Sequence, residues 1–266
     1  MQNPDTGMEV RLPNTHVALI CGGTAPIGSC VALQLARAGA RRVVITGRDA
    51  SRGAATVAGL RRDVPTTSFD FVRADLRDRK DAASMFEFVE MQCGGLDAYV
   101  HCVPPGAPGG GLEGADLDRF RSSLEMGLGA LADMCRRAAR LIKQRDGGSI
   151  LTFSSDAGRV ASPGHSLVAT IQSGIMALTR SLALELSSDL IRVNCISPTY
   201  VRDTPLFDRL RQTPAIAGAI DKAAKRAGLG LPAPEDIAPL AAFLISPLAS
   251  KITGQIISVN GGLSAA

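Results

Sequence analysis

Short apolar runs alternate with longer amphipathic stretches along almost the whole chain. VALI at 17–20 runs into the turn CGGTAPIG and a stretch at 27–38 with helical spacing, and VVIT at 43–46 precedes a helical pattern through the fifties. FDFVRAD at 69–75 precedes another helical stretch at 80–92, and DAYVHCV at 97–103 precedes a long one at 116–143. SILTFSS at 149–155, a helix at 165–187 and IRVNCIS at 191–197 continue the series, and PEDIAPLAAFLIS followed by QIISVN closes it. Nearly continuous apolar strands separated by helices are strands covered on both faces. The pattern therefore predicts a single α/β domain, a doubly wound and mostly parallel sheet with helices on both sides. A polar tail is expected at 1–13 and the domain at 14–262. Segment 200–233, rich in Pro, Ala and Arg, breaks the alternation and reads either as two short helices over a pocket or as a solvent-facing excursion.

Composition narrows the function classes. The 266 residues are 45% apolar and 20% charged, which supports one self-sufficient core and leaves little for a second domain. No run reaches the length of a membrane span, and the start MQNPDTGMEVRLPNTH lacks the apolar middle of a signal peptide, so the expected compartment is the cytoplasm. Cys21, Cys30, Cys93, Cys102, Cys135 and Cys195 show neither CxxC nor ligand spacing and read as core thiols; no metal site is expected. The net charge of +4 is spread over pairs such as Arg41/Arg42 and Arg136/Arg137 rather than a stripe with aromatics between, which argues against nucleic acid and leaves an anionic small ligand open.

One turn carries candidate chemistry. Strand, CGGTAPIG and helix is the setting in which a glycine-rich turn places a phosphate at a helix N-terminus, the Rossmann-type dinucleotide arrangement. Gly22 suits the tight turn and Gly28 the close approach of helix to sheet. Pro26 stands where a middle glycine would let backbone approach a pyrophosphate, and it removes an N–H. Arg48 follows VVIT where it would meet a 2′-phosphate, and Gly47 holds no acid to grip a ribose diol, so NADP(H) is favoured over NAD(H). Asp75 reads either as a contact to an adenine edge or as a helix cap.

CGGTAPIG, VVITGRD, ADLRD, GGSILTFSSDAG, ALTRSLALEL, IRVNCISPTYVRDTP and PEDIAPLAAFLISPLASKITGQIISVNGG together resemble the classical short-chain dehydrogenases/reductases over about residues 14–262. The resemblance implies that Gly22, Thr24, Ile27, Gly28, Arg48, Asp75 and Leu76 line a cofactor site. It also implies that Ser155 is the serine that holds a substrate oxygen. The same register puts Val168 at the family's tyrosine, Gln172 at its lysine and Gly127 at its asparagine, while HCVP at 101–104 replaces NNAG. Valine has no proton to give, and a glutamine amide carries no charge to lower a phenol pKa or to hold a ribose.

Other groups near these positions become candidates for proton transfer. His165 lies three residues before Val168, as a base or as a helix-capping or solvent-facing side chain. Tyr200 offers a phenol or a ring packed over ligand, and Asp156 beside Ser155 either polarises a water or ties down a turn. His101 replaces a structural asparagine at a strand end. With the tyrosine and lysine functions missing, the leading expectation is an atypical enzyme performing non-redox proton transfer (dehydration, isomerisation or cyclisation) on a small hydroxy- or keto-bearing compound. The alternatives are an NADP(H)-dependent oxidoreductase with a substitute acid/base, and a non-catalytic binding or partner subunit. The resemblance further implies a homodimer or homotetramer, with a paralogous subunit as an added option.

Overall fold

The computed structural model describes residues 9–106 and 112–265. Seven strands form one sheet: β1 Val17–Cys21, β2 Arg42–Gly47, β3 Ser68–Arg73, β4 Ala98–His101, β5 Gly148–Phe153, β6 Ile191–Pro198 and β7 Ile256–Val259. Their order is β3-β2-β1-β4-β5-β6-β7, and every neighbouring pair is parallel. The helices, in chain order, are α1 Pro26–Arg37, α2 Ala50–Asp63, α3 Arg79–Cys93, α4 Leu117–Leu124, α5 Ala130–Lys143, α6 Ser166–Glu185, α7 Pro205–Arg211, α8 Pro214–Arg226 and α9 Pro234–Ile245.

Period-two alternation sends neighbouring strand residues to opposite layers, which is why the strands read as apolar on both faces. Ala18, Ile20, Val43, Ile45, Val100 and Leu151 pack with α1, α2 and α9. Val17, Leu19, Val44, Tyr99, Ile150 and Val193 pack with α3, α5 and α6. Helix α6 has the length and apolarity of a membrane span, yet it carries Arg180 and buries Ile171, Ile175 and Ala183 in this second layer. All six cysteines are unpaired, and five are buried.

Three departures from the sequence pattern have local causes. The long helix expected at 116–143 is interrupted at Glu125–Gly129 by a π-turn. A Cβ at Gly127 would stand 2.7 Å from both Ile171 and Pro105, so the wider turn and the missing side chain let this helix lie against α6. Helix α3 is capped by Asp78, whose carboxylate accepts from Lys80 N at 2.8 Å, and not by Asp75. In the tail, Leu12 is buried against the first core and its N–H donates to the Ala38 carbonyl at 2.7 Å. Within 200–233 the chain forms α7 and α8, which close a small core of Ile220, Ala223, Ala227 and Leu231.

Candidate active site

The chain winds from β1 outward to β3, then restarts at β4 and winds the other way, so the connections that leave the paired C-terminal ends of β1 and β4 run to opposite faces of the sheet and leave a crevice between them. Gly22 follows β1 with φ of +80°, and a Cβ there would strike the Cys102 carbonyl beyond β4. Only glycine closes the turn this tightly. Helix α1 then begins at Pro26, in the first-turn position where a missing N–H costs least, with Ala25 extended before it. Ile27 and Gly28 retain first-turn N–H groups that an α-helix leaves without internal partners. Thr24 packs over Gly47, at the end of β2.

Arg48 is exposed just beyond Gly47. The Asp75 carboxylate is held mainly by Arg77, whose Nε donates at 2.9 Å, and Arg48 adds a smaller favourable field; its pKa falls to about 2. Asp75 is therefore an anion fixed at the rim next to Arg48, which has no ion-pair partner among the described residues. Leu76 is buried behind it.

Ser155 and helix α6 form the opposite wall. Ser155 leaves β5 in an extended conformation and starts a single 3₁₀ turn, Asp156–Gly158, its Oγ accepting from Ala157 N at 3.3 Å. Val168 and Gln172 lie one turn apart on α6 and so share a face. Val168 is half-buried, whereas Gln172 is buried. The Ser154 hydroxyl lies 2.9 Å from the Gln172 carbonyl and 3.1 Å from its side-chain amide oxygen. A hydroxyl has one proton, so donation to the carbonyl leaves its lone pairs for the amide NH₂, which favours the flipped amide.

The remaining predicted groups separate. His165 occupies the residue before α6 without capping it, and its Nδ1 lies 3.1 Å from the Pro163 carbonyl. Because a carbonyl only accepts, Nδ1 carries the proton and Nε2 is the open atom. Tyr200 is half-buried against the small core of Ile220, Ala223, Ala227 and Leu231, and burial raises its phenol pKa. Asp156 is buried, accepting from Asn260 Nδ2 at 2.6 Å, Ser258 Oγ at 3.0 Å and Ser264 Oγ at 3.2 Å. It fastens the loop after β5 to β7 and the chain end. Asp156→Ala strands these donors and is expected to cost about 3 kcal/mol by urea unfolding. Unchanged stability would show that water replaces the carboxylate.

Three features escaped the sequence reading. Arg77, two residues beyond Asp75 in ADLRD, is visible in the pattern once the loop is known to be tight. The Ser154–Gln172 contact spans two elements and has no local signal. His101 bonds Tyr99, with Nδ1 2.8 Å from the phenol oxygen, and burial lowers its pKa to about 4. Alternation along β4 puts both on one face, but nothing in the sequence says that the face is closed to water.

Comparisons with known proteins bear on this geometry. A family described as enoyl-(acyl carrier protein) reductase matches residues 23–264. The chain is 33% identical over 250 residues to cis-4-hydroxycyclohexanecarboxylate dehydrogenase of Sinomonas cyclohexanicum, covering 94% of this chain and 97% of that protein. It is 26% identical to the NADPH-dependent reductase BacG of Bacillus subtilis, covering 93% and 97%. A short-chain type dehydrogenase/reductase from Mycobacterium ulcerans superposes with a TM-score of 0.86 at 28% identity, covering 93% of this chain and 89% of that one. These relatives are dehydrogenases and reductases, which overturns the expectation of non-redox proton-transfer chemistry. That expectation gave two side chains of α6 more weight than the frame around them.

Proposed function

The chain belongs to the short-chain dehydrogenase/reductase family, and from that premise we propose that it interconverts a carbonyl and an alcohol on a small, largely apolar substrate with NADP(H), through an acid/base other than the family tyrosine. The observation that carries the reading is exposed Arg48 directly after β2, preceded by Gly47 where a carboxylate would repel a phosphate. The residues present fit the cofactor. Ile27 and Gly28 offer N–H groups to a pyrophosphate, Thr24 lines the same turn, and Arg48 offers a bidentate fork to a 2′-phosphate. The proposed site lacks tyrosine and lysine, with Val168 and Gln172 in their places.

When bound, the dinucleotide supplies or accepts the hydride. Ser155 Oγ donates to the substrate oxygen, and Val168 adds apolar wall. His165 Nε2 takes the hydroxyl proton when an alcohol is oxidised and, as the imidazolium, returns it to the oxygen when a carbonyl is reduced, since Nδ1 is committed to Pro163. Gln172, held by Ser154, is polar without charge.

Calorimetry of the purified protein tests the cofactor part. Arg48→Ala is expected to weaken NADPH binding about tenfold or more and to leave NADH unaffected. Equal affinity for NADPH and NADH in the wild type, or no binding of either, would overturn it. His165→Gln is expected to lower turnover by about 10²-fold at unchanged NADPH affinity. Unaltered turnover would move the proton to another group. The same reading makes the chain a homodimer or homotetramer, or a mixed oligomer with a paralogue, covering the outer face of α6, where Leu184 is 79% exposed. Light scattering that gives a monomer mass would exclude it.

A further inference from the structure

A cavity of about 510 Å³ opens between the loop after β5, helix α6 and the start of β7, lined by Gly158, Arg159, Ser173, Arg180, Gln255 and Ile256. It contains none of the residues assigned above to the cofactor or the substrate. Two of its walls are guanidinium groups, and neither has a carboxylate within ion-pair distance among the described residues. Most other arginines in the protein do: Arg42 pairs with Asp70, Arg140 with Glu90, Arg145 with Asp97.

The two arginines are held differently. Arg159 is anchored through one terminal nitrogen, which donates to the Ile256 carbonyl at 3.1 Å and to Ser258 Oγ at 2.9 Å. Those bonds aim the guanidinium but leave its charge unpaired, apart from the indirect link of Ser258 to Asp156 at 3.0 Å. Arg180 extends from α6, two turns beyond Ser173 and on the same face. Both side chains line the same cavity, one from the loop after β5 and the other from α6. The Ser173 hydroxyl donates to the Gly158 carbonyl at 2.7 Å, which leaves its oxygen lone pairs, while the Gln255 amide NH₂ is turned to the Thr253 carbonyl at 3.0 Å.

Two guanidiniums lining one polar recess are a donor set for an oxyanion with more than one charged oxygen, because each offers parallel N–H groups in a rigid fork. We infer that this cavity is a binding site for a small dianionic oxyanion, a phosphate or phosphate monoester. The anion would lie between the loop that carries Ser155 and the middle of α6. Arg180 is exposed and carries a long side chain, so it would add its fork to an anion that Arg159 already orients.

The test uses the full chain, with inorganic phosphate and phenyl phosphate as probes and sodium chloride holding ionic strength constant. Calorimetry is expected to find one saturable site in the wild type, weakened about tenfold or more in Arg180→Gln and in Arg159→Gln. Arg121→Gln, on α4 and paired with Asp118, is the control and should not change it. Tighter binding of the monoester would identify an organic phosphate as the ligand; equal binding would identify free phosphate. Because Arg159 also anchors β7, exposed Arg180 is the deciding variant. No saturable binding up to about 10 mM, or equal loss in Arg121→Gln, overturns the site. Dissociation of an oligomer in Arg180→Gln, without phosphate binding in the wild type, overturns it too and gives the cavity to a second copy of the chain.

Discussion

Val168→Tyr with Gln172→Lys is expected to raise NADPH-dependent carbonyl reduction by about 10²- to 10⁴-fold, the usual worth of one positioned general acid. The two positions lie four residues apart on one face of α6, so a phenol and an ammonium placed there meet on the same wall. Ser155, which would share the substrate oxygen with the phenol, is already present and half-buried. Val168 is partly open, so a ring replaces solvent more than core. Gln172 is buried, and a lysine there inherits the Ser154 hydroxyl as an acceptor. The cost of the larger side chains is about 1 to 3 kcal/mol of stability, small beside the gain in rate. Val168→Tyr alone should yield far less, since no nearby charge lowers the phenol pKa. Stopped-flow oxidation of NADPH over a panel of ketones measures it. A folded double variant that binds NADPH and is no faster would show that the present acid/base already suffices.

Stability should fall by about 4 kcal/mol between pH 7 and pH 5. His16 and His101 are both buried, and desolvation is the main cause that lowers each pKa from 6.5 to about 4. For His16, Asp97 opposes the shift and Arg145 and Arg192 add to it. In this window the unfolded chain binds protons that the folded chain does not, so stability is full above the unfolded pKa of 6.5 and is lost as pH falls toward 4. Each histidine contributes about 1.4 kcal/mol per pH unit across it. Urea unfolding at the two pH values reads the sum, and His101→Asn, which can still accept from Tyr99, should remove about half. A midpoint that does not move would mean that both imidazoles are charged inside the fold.

Legibility of the fold and of the site differed for a physical reason. Alternating apolar strands and amphipathic helices are local patterns, and the doubly wound parallel sheet follows because only two helical layers can cover strands that are apolar on both faces. The turn at Gly22 was readable and the start of α1 was readable to within one residue, at 27 for the observed Pro26, since glycine and proline act on their own backbone. The reaction class was not legible from the residues at 168 and 172. A missing side chain says which group does not move the proton, while the relatives show that the surrounding frame belongs to dehydrogenases and reductases.

What the chain determined unaided is therefore what depends on sequence neighbours: strand and helix order, the glycine-rich turn after β1, the cationic Arg48 beyond β2 and the absence of a phenol on α6. Only the tertiary structure decided which charges are satisfied. Asp156 and Ser258, 102 positions apart, share a hydrogen bond that turns a candidate acid into a fastener. Tyr99 and His101 become a neutral buried pair because α3 and α5 close over β4. Arg159 and Arg180 face one cavity because β7 lies against β6 and the loop after β5 folds onto α6. Whether a polar side chain is a tool or a tie depends on partners that arrive from distant segments, and burial fixes the cost of leaving any of them unpaired.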